Sequence, residues 1–182
     1  MSKLVKRSFL KQQLWKVDLA QKSAEQVRAY CEWFISNKPD TASPLFSGLL
    51  TAICVVYAKP FTDNKSVGML SEKFARYSSP NLRRLHKRLL HFRDNLYAHQ
   101  NPEGRKLHIH VEEEDMGENI RYTFSPQAES FHLNPARIPD VMQMCNELKP
   151  KLDVKYLELM NELFGNRHWP KGKFTLNLSD ES

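Results

Sequence analysis

Residues 41–58, TASPLFSGLLTAICVVYA, carry no charge over 18 positions, and they constrain the fold more than any other part of the chain. A helix that is apolar on every side must be covered by other helices or by lipid. The length is at the lower limit for a membrane span, but Ser43, Pro44 and Gly48 dilute the segment and no second span accompanies it. We therefore expect the central helix of a bundle with no membrane association, and a membrane span is the alternative.

The other apolar positions predict more helices around this segment. A first helix covers residues 5–19, and a new helix opens at Ser23, because Ser23 and Gln26 have capping-box spacing. Residues 139–164 form a long final helix that Pro150 should kink. The sequence thus favours a predominantly helical chain.

Two Ser-Pro pairs mark the starts of the central helix and of a helix that begins after Ser79. In each pair the serine can cap the helix and the proline can occupy its first turn. The second of these helices has a core stripe of apolar residues at spacings of three and four, namely Leu82, Leu85, Leu89, Phe92 and Leu96. Its opposite face is predicted to be polar.

Beyond Gly104 the apolar residues no longer follow a helical repeat and instead occupy every second position. This change predicts a β-hairpin at about residues 106–125, inserted before the last long helix. The fold class is therefore all-α, a helical bundle with a small hairpin, in a single domain over residues 1–182. The bundle covers about residues 5–165, and residues 166–182 form a tail. An α+β fold with a central sheet is the alternative, and the sequence has too few strands for it.

Three cysteines, Cys31, Cys54 and Cys145, lie far apart, each within an apolar helical pattern. Their odd number and wide spacing fit neither a disulfide framework nor a metal site, so we expect buried, reduced thiols in a cytoplasmic protein. The lysine-rich start of the chain does not have the apolar region of a signal peptide. Trp15 and Trp33 lie in helical patterns and are predicted to be in the core.

Basic residues are concentrated in residues 73–93, which contain no acidic residue, within a chain of net charge +6. Such a one-sided window is typical either of an interface with an anion, nucleic acid first, or of a solvated helix face. On the helix after Ser79, Arg83, Arg84, Lys87 and His91 fall away from the core stripe. The candidate RNA-binding residues of this helix are Arg83, Arg84, Lys87 and Arg88.

The end of the same helix carries Arg93, Asp94 and His99 just before the helix-breaking pair Asn101-Pro102. Arg93 falls on the edge of the core stripe and should be half-buried. On an ideal helix Arg93 and His99 point about 120° apart, but unwinding near the helix end brings both within reach of one small space. A guanidinium can hold two phosphate oxygens and an imidazole can move a proton near neutral pH, so the pair suits a phosphodiester. The alternative is a helix end stabilised by cations, with Arg93 paired to an acid.

Residues 93–99, RDNLYAH, resemble the signature of the HEPN superfamily (higher eukaryotes and prokaryotes nucleotide-binding domains), and the form RDxxxAH is most similar to an abortive-infection branch. The uncharged helix ending VVYAKPF, residues 55–61, resembles the helix that precedes this signature. The resemblance covers roughly residues 23–165 as a bundle, with about a dozen specific residues.

The resemblance implies a metal-independent endoribonuclease that acts as a toxin or in phage defence. Arg93 would bind phosphate, His99 would transfer the proton at the ribose 2′-OH, and Asp94 would orient them. It further implies a homodimer, RNA as substrate and an antitoxin protein as a possible partner, with no cofactor. Family toxins that a nucleotidyltransferase modifies carry a tyrosine where this chain has Asn101, so that control is not expected. The alternative is a catalytically silent HEPN-like module that binds a protein or a nucleotide.

A weaker candidate site lies on the first predicted strand, where His108, His110 and Glu112 occupy every second position and therefore share one face. Two histidines and a carboxylate could ligate a metal only with a fourth ligand from elsewhere. A solvated hairpin face explains them as well, and no metal site is predicted.

Overall fold

The computed structural model describes residues 3–63, 68–94, 106–115, 120–129 and 133–165. The helices are α1 (Lys3–Asn37), α2 (Pro44–Ala58), α3 (Pro80–Phe92) and α4 (Ile138–Phe164), with 3-10 turns at Lys59–Phe61, Glu72–Ala75 and Pro135–Arg137. The strands are β1 (Lys106–Asp115) and β2 (Ile120–Glu129). Helices dominate the described residues, and the prediction of a mainly helical chain is confirmed.

The first helix does not break at Ser23, so the prediction of two helices was wrong. α1 runs without interruption over 35 residues. Ser23 is buried rather than placed at an exposed helix start, and serine inside a helix costs well under about 1 kcal/mol relative to alanine. A continuous stripe of buried residues crosses the expected break, and its packing stabilises the unbroken helix more than the capping pattern favours a break. The stripe consists of Leu10, Leu14, Val17, Ala20, Ala24, Val27, Cys31 and Phe34.

α4 packs antiparallel along α1 and supplies the other half of the main core. Gln21 Nε2 donates to Asp153 Oδ1 at 2.7 Å, and Lys149 Nζ lies 3.2 Å from Glu25 Oε1. Pro150 lies inside α4, which continues from Ile138 to Phe164 on both sides of it. α4 buries a set of apolar side chains against this core, namely Val141, Met144, Cys145, Leu148, Leu152 and Met160, and Tyr156 and Leu163 are partly buried.

α2 begins where the sequence predicts and ends at Ala58. Ser43 Oγ accepts a hydrogen bond from the Leu45 N–H at 3.2 Å, and Pro44 is the first helical residue. The helix packs against α1 and α3. Cover is incomplete, however, because Leu45 and Val55 are exposed. The stretch Pro44–Phe61 has a mean hydropathy of 1.4 and passes the length and composition test for a membrane span, as core helices of soluble proteins also do.

α3 is fixed to the rest of the bundle at its start. Ser79 Oγ accepts from the Leu82 N–H at 3.2 Å, as the Ser-Pro pair predicts. Just before it, the Ser78 N–H and hydroxyl donate to Glu147 of α4 at 2.8 and 2.6 Å. These hydrogen bonds hold the pKa of Glu147 below its usual value. The predicted stripe is buried at Leu82, Leu85, Leu89 and Phe92, whereas Leu96 lies outside the described residues.

The two strands pair antiparallel in a two-stranded sheet. The register pairs Lys106 with Glu129 at one end and Asp115 with Ile120 at the other. In this register Val111 lies opposite Phe124, whereas Tyr122 lies opposite Glu113 and Ile120 opposite Asp115. The second strand ends four residues beyond the predicted limit, at Glu129.

The three cysteines are free and buried, as predicted. The tryptophans differ from expectation, because Trp15 and Trp33 are 50% and 41% exposed. Each lies one position beside the buried stripe of α1, next to Leu14 and Phe34, and a single residue step of about 100° carries it out of the core.

Candidate nucleic-acid interface

Arg93 and Asp94 follow α3 and are the last residues described before the hairpin, and the backbone there forms a π-type turn, which is wider than an α-helical turn. The Arg93 N–H itself donates to the carbonyls of Leu89 and Leu90, so the helical hydrogen bonding of α3 persists up to Arg93. π-helical turns recur at functional sites.

Arg93 is half-buried, as its place on the edge of the core stripe predicts. Its Nη1 donates to Asp94 Oδ1 at 2.7 Å, and the two side chains are 32% and 48% exposed. Within the described residues Asp94 is the one carboxylate paired with this guanidinium. Five N–H donors on a guanidinium exceed what one carboxylate oxygen uses, so Arg93 retains donors for an anion.

His99 lies outside the described residues, as do Asn101 and Pro102. The meeting of Arg93 and His99 in one space therefore stays a prediction. Side chains of residues 106–129 are also outside what is described, which includes His108, His110 and Glu112.

The four candidate RNA-binding cations of α3 are all exposed, as predicted for Arg83, Arg84 and Lys87, but they differ in what they contact. Arg83 Nη1 donates to the Tyr77 carbonyl at 2.7 Å, and Arg84 Nη2 donates to Asn81 Oδ1 at 2.6 Å. The Arg88 guanidinium lies over the Phe92 ring, 5.1 Å from its centroid. Arg83 therefore has a structural contact that helical spacing did not predict.

A buried polar cluster on the inner side of α3 was not singled out from the sequence. The Tyr57 hydroxyl lies 2.8 Å from His86 Nδ1 and 2.6 Å from the Tyr77 hydroxyl. Phe61 packs edge-on against His86 with ring centroids 4.8 Å apart. Tyr57 and Phe61 belong to the VVYAKPF segment, so this segment packs directly on α3. The partners are 20 and 29 residues apart in sequence, and no local pattern brings them together.

Burial sets the protonation of this cluster. It lowers the pKa of His86 to about 4, with a smaller contribution from the Lys87 charge, and it raises the pKa of both tyrosine hydroxyls. A neutral imidazole can accept at Nδ1 from Tyr57, whose oxygen can in turn accept from Tyr77. His86 is thus a satisfied core histidine and is poorly suited to proton transfer at neutral pH.

The sequence did not point to Arg137, the last residue of the 3-10 turn before α4. It lines a cleft together with Arg84 and Arg88 of α3. Its position in an irregular segment between Pro135 and Ile138 gives no periodic signal, and the cleft forms only when this segment packs beside α3. In the part of the chain described, no group of three histidine, cysteine or acidic side chains lies close enough to hold a metal ion.

In comparisons with known proteins, no protein-family model, curated protein or solved structure matches this chain.

Proposed function

We propose that this protein is a HEPN-type, metal-independent endoribonuclease that acts as a toxin or phage-defence effector from a HEPN-like bundle with an inserted hairpin. The observation that carries the proposal is the half-exposed guanidinium of Arg93 at the widened end of α3, six positions before His99 in sequence. Asp94 binds that guanidinium and would orient it.

In the proposed reaction, Arg93 binds the scissile phosphodiester through two oxygens and offsets the charge that develops on it. His99 accepts the proton of the ribose 2′-OH as the 2′ oxygen attacks the phosphorus. The bond to the 5′ oxygen of the next nucleotide then breaks, and that oxygen takes up a proton. The products are a 2′,3′-cyclic phosphate and a 5′-hydroxyl end, and no step requires a bound metal.

A homodimer is part of the proposal, with the end of α3 near the two-fold axis. One Arg-His pair offers few catalytic groups, and a two-fold interface places a second pair beside the first. The guanidinium groups would then form a positive cleft that attracts RNA. An antitoxin protein is a further proposed partner, and the proposed location is the cytoplasm.

The test compares purified wild type with His99→Ala on mixed RNA in the presence of a chelator. General acid–base catalysis contributes about 10²–10⁴-fold, so His99→Ala should lose at least about a hundredfold in cleavage rate. His91→Ala removes an exposed histidine of α3 and serves as the matched control. Mass spectrometry of the product ends reports the cyclic phosphate, and light scattering reports the dimer.

A catalytically silent module that binds a nucleotide or a protein is the second candidate. It is favoured by the Arg93–Asp94 ion pair, because an arginine held by its neighbour is partly occupied before any substrate arrives. Cleavage that is absent, or equal in wild type and His99→Ala, across several RNA substrates would establish this second candidate over the first.

A further inference from the structure

A cleft of about 310 Å³ lies between the first half of α3 and the segment that leads into α4. Three arginines line it, two from α3 one helical turn apart and one from the end of the 3-10 turn, namely Arg84, Arg88 and Arg137. The cleft is therefore built from residues more than forty positions apart in sequence and is not a property of the helix face alone.

The charge in the cleft is not balanced by the described residues. Arg137 Nε lies 3.0 Å from Asp140 Oδ2. Neither Arg84 nor Arg88 is paired with a carboxylate in the described ranges, since their contacts are the Asn81 amide oxygen and the Phe92 ring. Among the described residues, three guanidinium groups thus face one carboxylate, which leaves two positive charges around one concave space that no described carboxylate compensates. Such a site attracts an anion, and guanidinium geometry selects phosphate or carboxylate.

The contacts of these side chains also orient their donors. The cation–π contact with Phe92 restrains the position of the Arg88 guanidinium. The amide oxygens of Asn81 and Asn134 are used by Arg84 and by the Ala136 N–H, the latter at 2.9 Å. Their NH₂ groups thus remain as further donors towards a ligand. An anion in the cleft would therefore meet donors from both walls.

Leu85 and Leu133 form the floor of the cleft, although little of either side chain is exposed. The aliphatic stems of the lining arginines add apolar surface to the walls, which a ribose or a base can cover and an inorganic anion cannot. The volume lies near the lower end of the roughly 300–1,000 Å³ typical of small-molecule sites. A ligand with one phosphate and one flat or apolar part fits both features.

We propose that this cleft binds one nucleoside phosphate unit, with its phosphate on Arg84, Arg88 and Arg137 and its ribose or base against Leu85 and Leu133. The unit comes either from a free mononucleotide or from one residue of an RNA chain. The inference goes beyond the proposed cleavage, because it concerns binding at a place separate from Arg93 and holds whether or not the protein cuts RNA.

Isothermal titration with four probes tests the proposal: adenosine 5′-monophosphate, adenosine, inorganic phosphate, and a short 2′-O-methyl oligoribonucleotide. The last probe has no free 2′-OH, so it is not cleaved and its binding is measured independently of catalysis. The variants are Arg88→Gln and Arg137→Gln, which keep a polar side chain, with exposed Arg7→Gln on α1 as a control of equal charge change. Thermal unfolding of each variant confirms that it is folded.

We expect saturable binding of the monophosphate or of the oligonucleotide, with no binding of adenosine. Loss of one charged contact lowers the affinity about tenfold or more, so each cleft variant should bind more weakly by at least that factor. The affinity of Arg7→Gln should stay within about twofold of wild type. Binding of the monophosphate identifies a free nucleotide as a source, and binding of the oligonucleotide alone identifies RNA. Three results would overturn the proposal. They are an equal loss of affinity in all three variants, an equal affinity for inorganic phosphate and the monophosphate, and no binding of either nucleotide probe.

Discussion

His86 and Arg93 are two turns apart on α3, and they show two different uses of a polar residue. His86 faces inward, is buried, and has a partner from another helix in Tyr57. Arg93 lies where the described helix ends, is half-buried, and has its adjacent residue Asp94 as its partner. The first residue is held by long-range contacts and is electrically neutral at pH 7, whereas the second keeps a charge close to solvent. A polar residue held in the first way stabilises the fold, and one held in the second way is available to a ligand.

The largest effect that separates the two sites should come from Arg93→Ala. If Arg93 binds the scissile phosphate, its loss should reduce the rate of RNA cleavage by about a hundredfold or more. Stability should change by less than about 1 kcal/mol, because an exposed ion pair contributes little. Cleavage rates and urea denaturation of the same preparations check both statements.

Arg93→Lys sharpens this test, since it keeps the charge but not the two-pronged contact, and it should remain well below wild type in activity. Arg7→Ala is the control for loss of a positive charge elsewhere. An Arg93→Ala protein with normal activity, or one that unfolds in mild urea, would place Arg93 in the same structural class as His86.

The second effect is a loss of stability in acid that originates at His86. Its pKa in the folded protein is about 4, below the ordinary 6.5, because burial disfavours the charged imidazole. As pH falls below 6.5 the unfolded chain binds a proton that the folded chain does not, so the stabilisation is complete above pH 6.5 and is lost towards pH 4. The difference between the His86 pKa values in the unfolded and folded states corresponds to a loss of about 3 kcal/mol in the free energy of unfolding.

Urea denaturation at several pH values between 7 and 4 measures this loss. His86→Gln removes the titrating group and should flatten the pH dependence in that window, even if its stability at pH 7 is lower. His91→Ala removes an exposed histidine from the same helix and is measured in parallel as the matched control. If the wild type and His86→Gln lose stability in parallel, the acid sensitivity originates elsewhere.

The smallest effect compares Arg83 with Lys87, two exposed cations of α3. Arg83→Ala removes the hydrogen bond to the Tyr77 carbonyl and should cost about 1 kcal/mol of stability. Lys87→Ala should change stability by less than about 0.5 kcal/mol. Both should weaken RNA binding modestly and reduce its salt dependence by about one counterion. Denaturation curves and binding at two salt concentrations distinguish the two residues, and an equally destabilised Lys87→Ala would contradict the assignment.

The sequence predicted those features that depend only on neighbouring residues, namely helix starts and the buried face of a helix. Ser43 and Ser79 cap helices because a serine hydroxyl followed by proline satisfies the first free N–H groups wherever it occurs. The stripe of α3 and the burial of the three cysteines follow from helical spacing. The half-buried position of Arg93 follows from the same geometry.

Long-range packing decided the features that the sequence did not predict. The continuity of α1 through Ser23 depends on α4 lying along it, which a local capping pattern does not indicate. Tyr57 and His86 meet across two helices, and Arg137 reaches the α3 cleft only because an irregular segment passes beside it. The chemistry of His99 depends on the path of the chain after Asp94, which helical geometry alone does not fix.

The buried cysteines of α1, α2 and α4 allow the opening of the bundle to be followed without any engineered probe. Burial raises the pKa of Cys31 to about 12, and it raises that of Cys145 as well, so neither thiol reacts readily while the helices are packed. Alkylating reagents will modify each sulfur only when its own helix separates from the others. Mass spectrometry of the labelled peptides would therefore time the separation of α1 and of α4 independently, and would show whether the α2 thiol at Cys54 becomes accessible first.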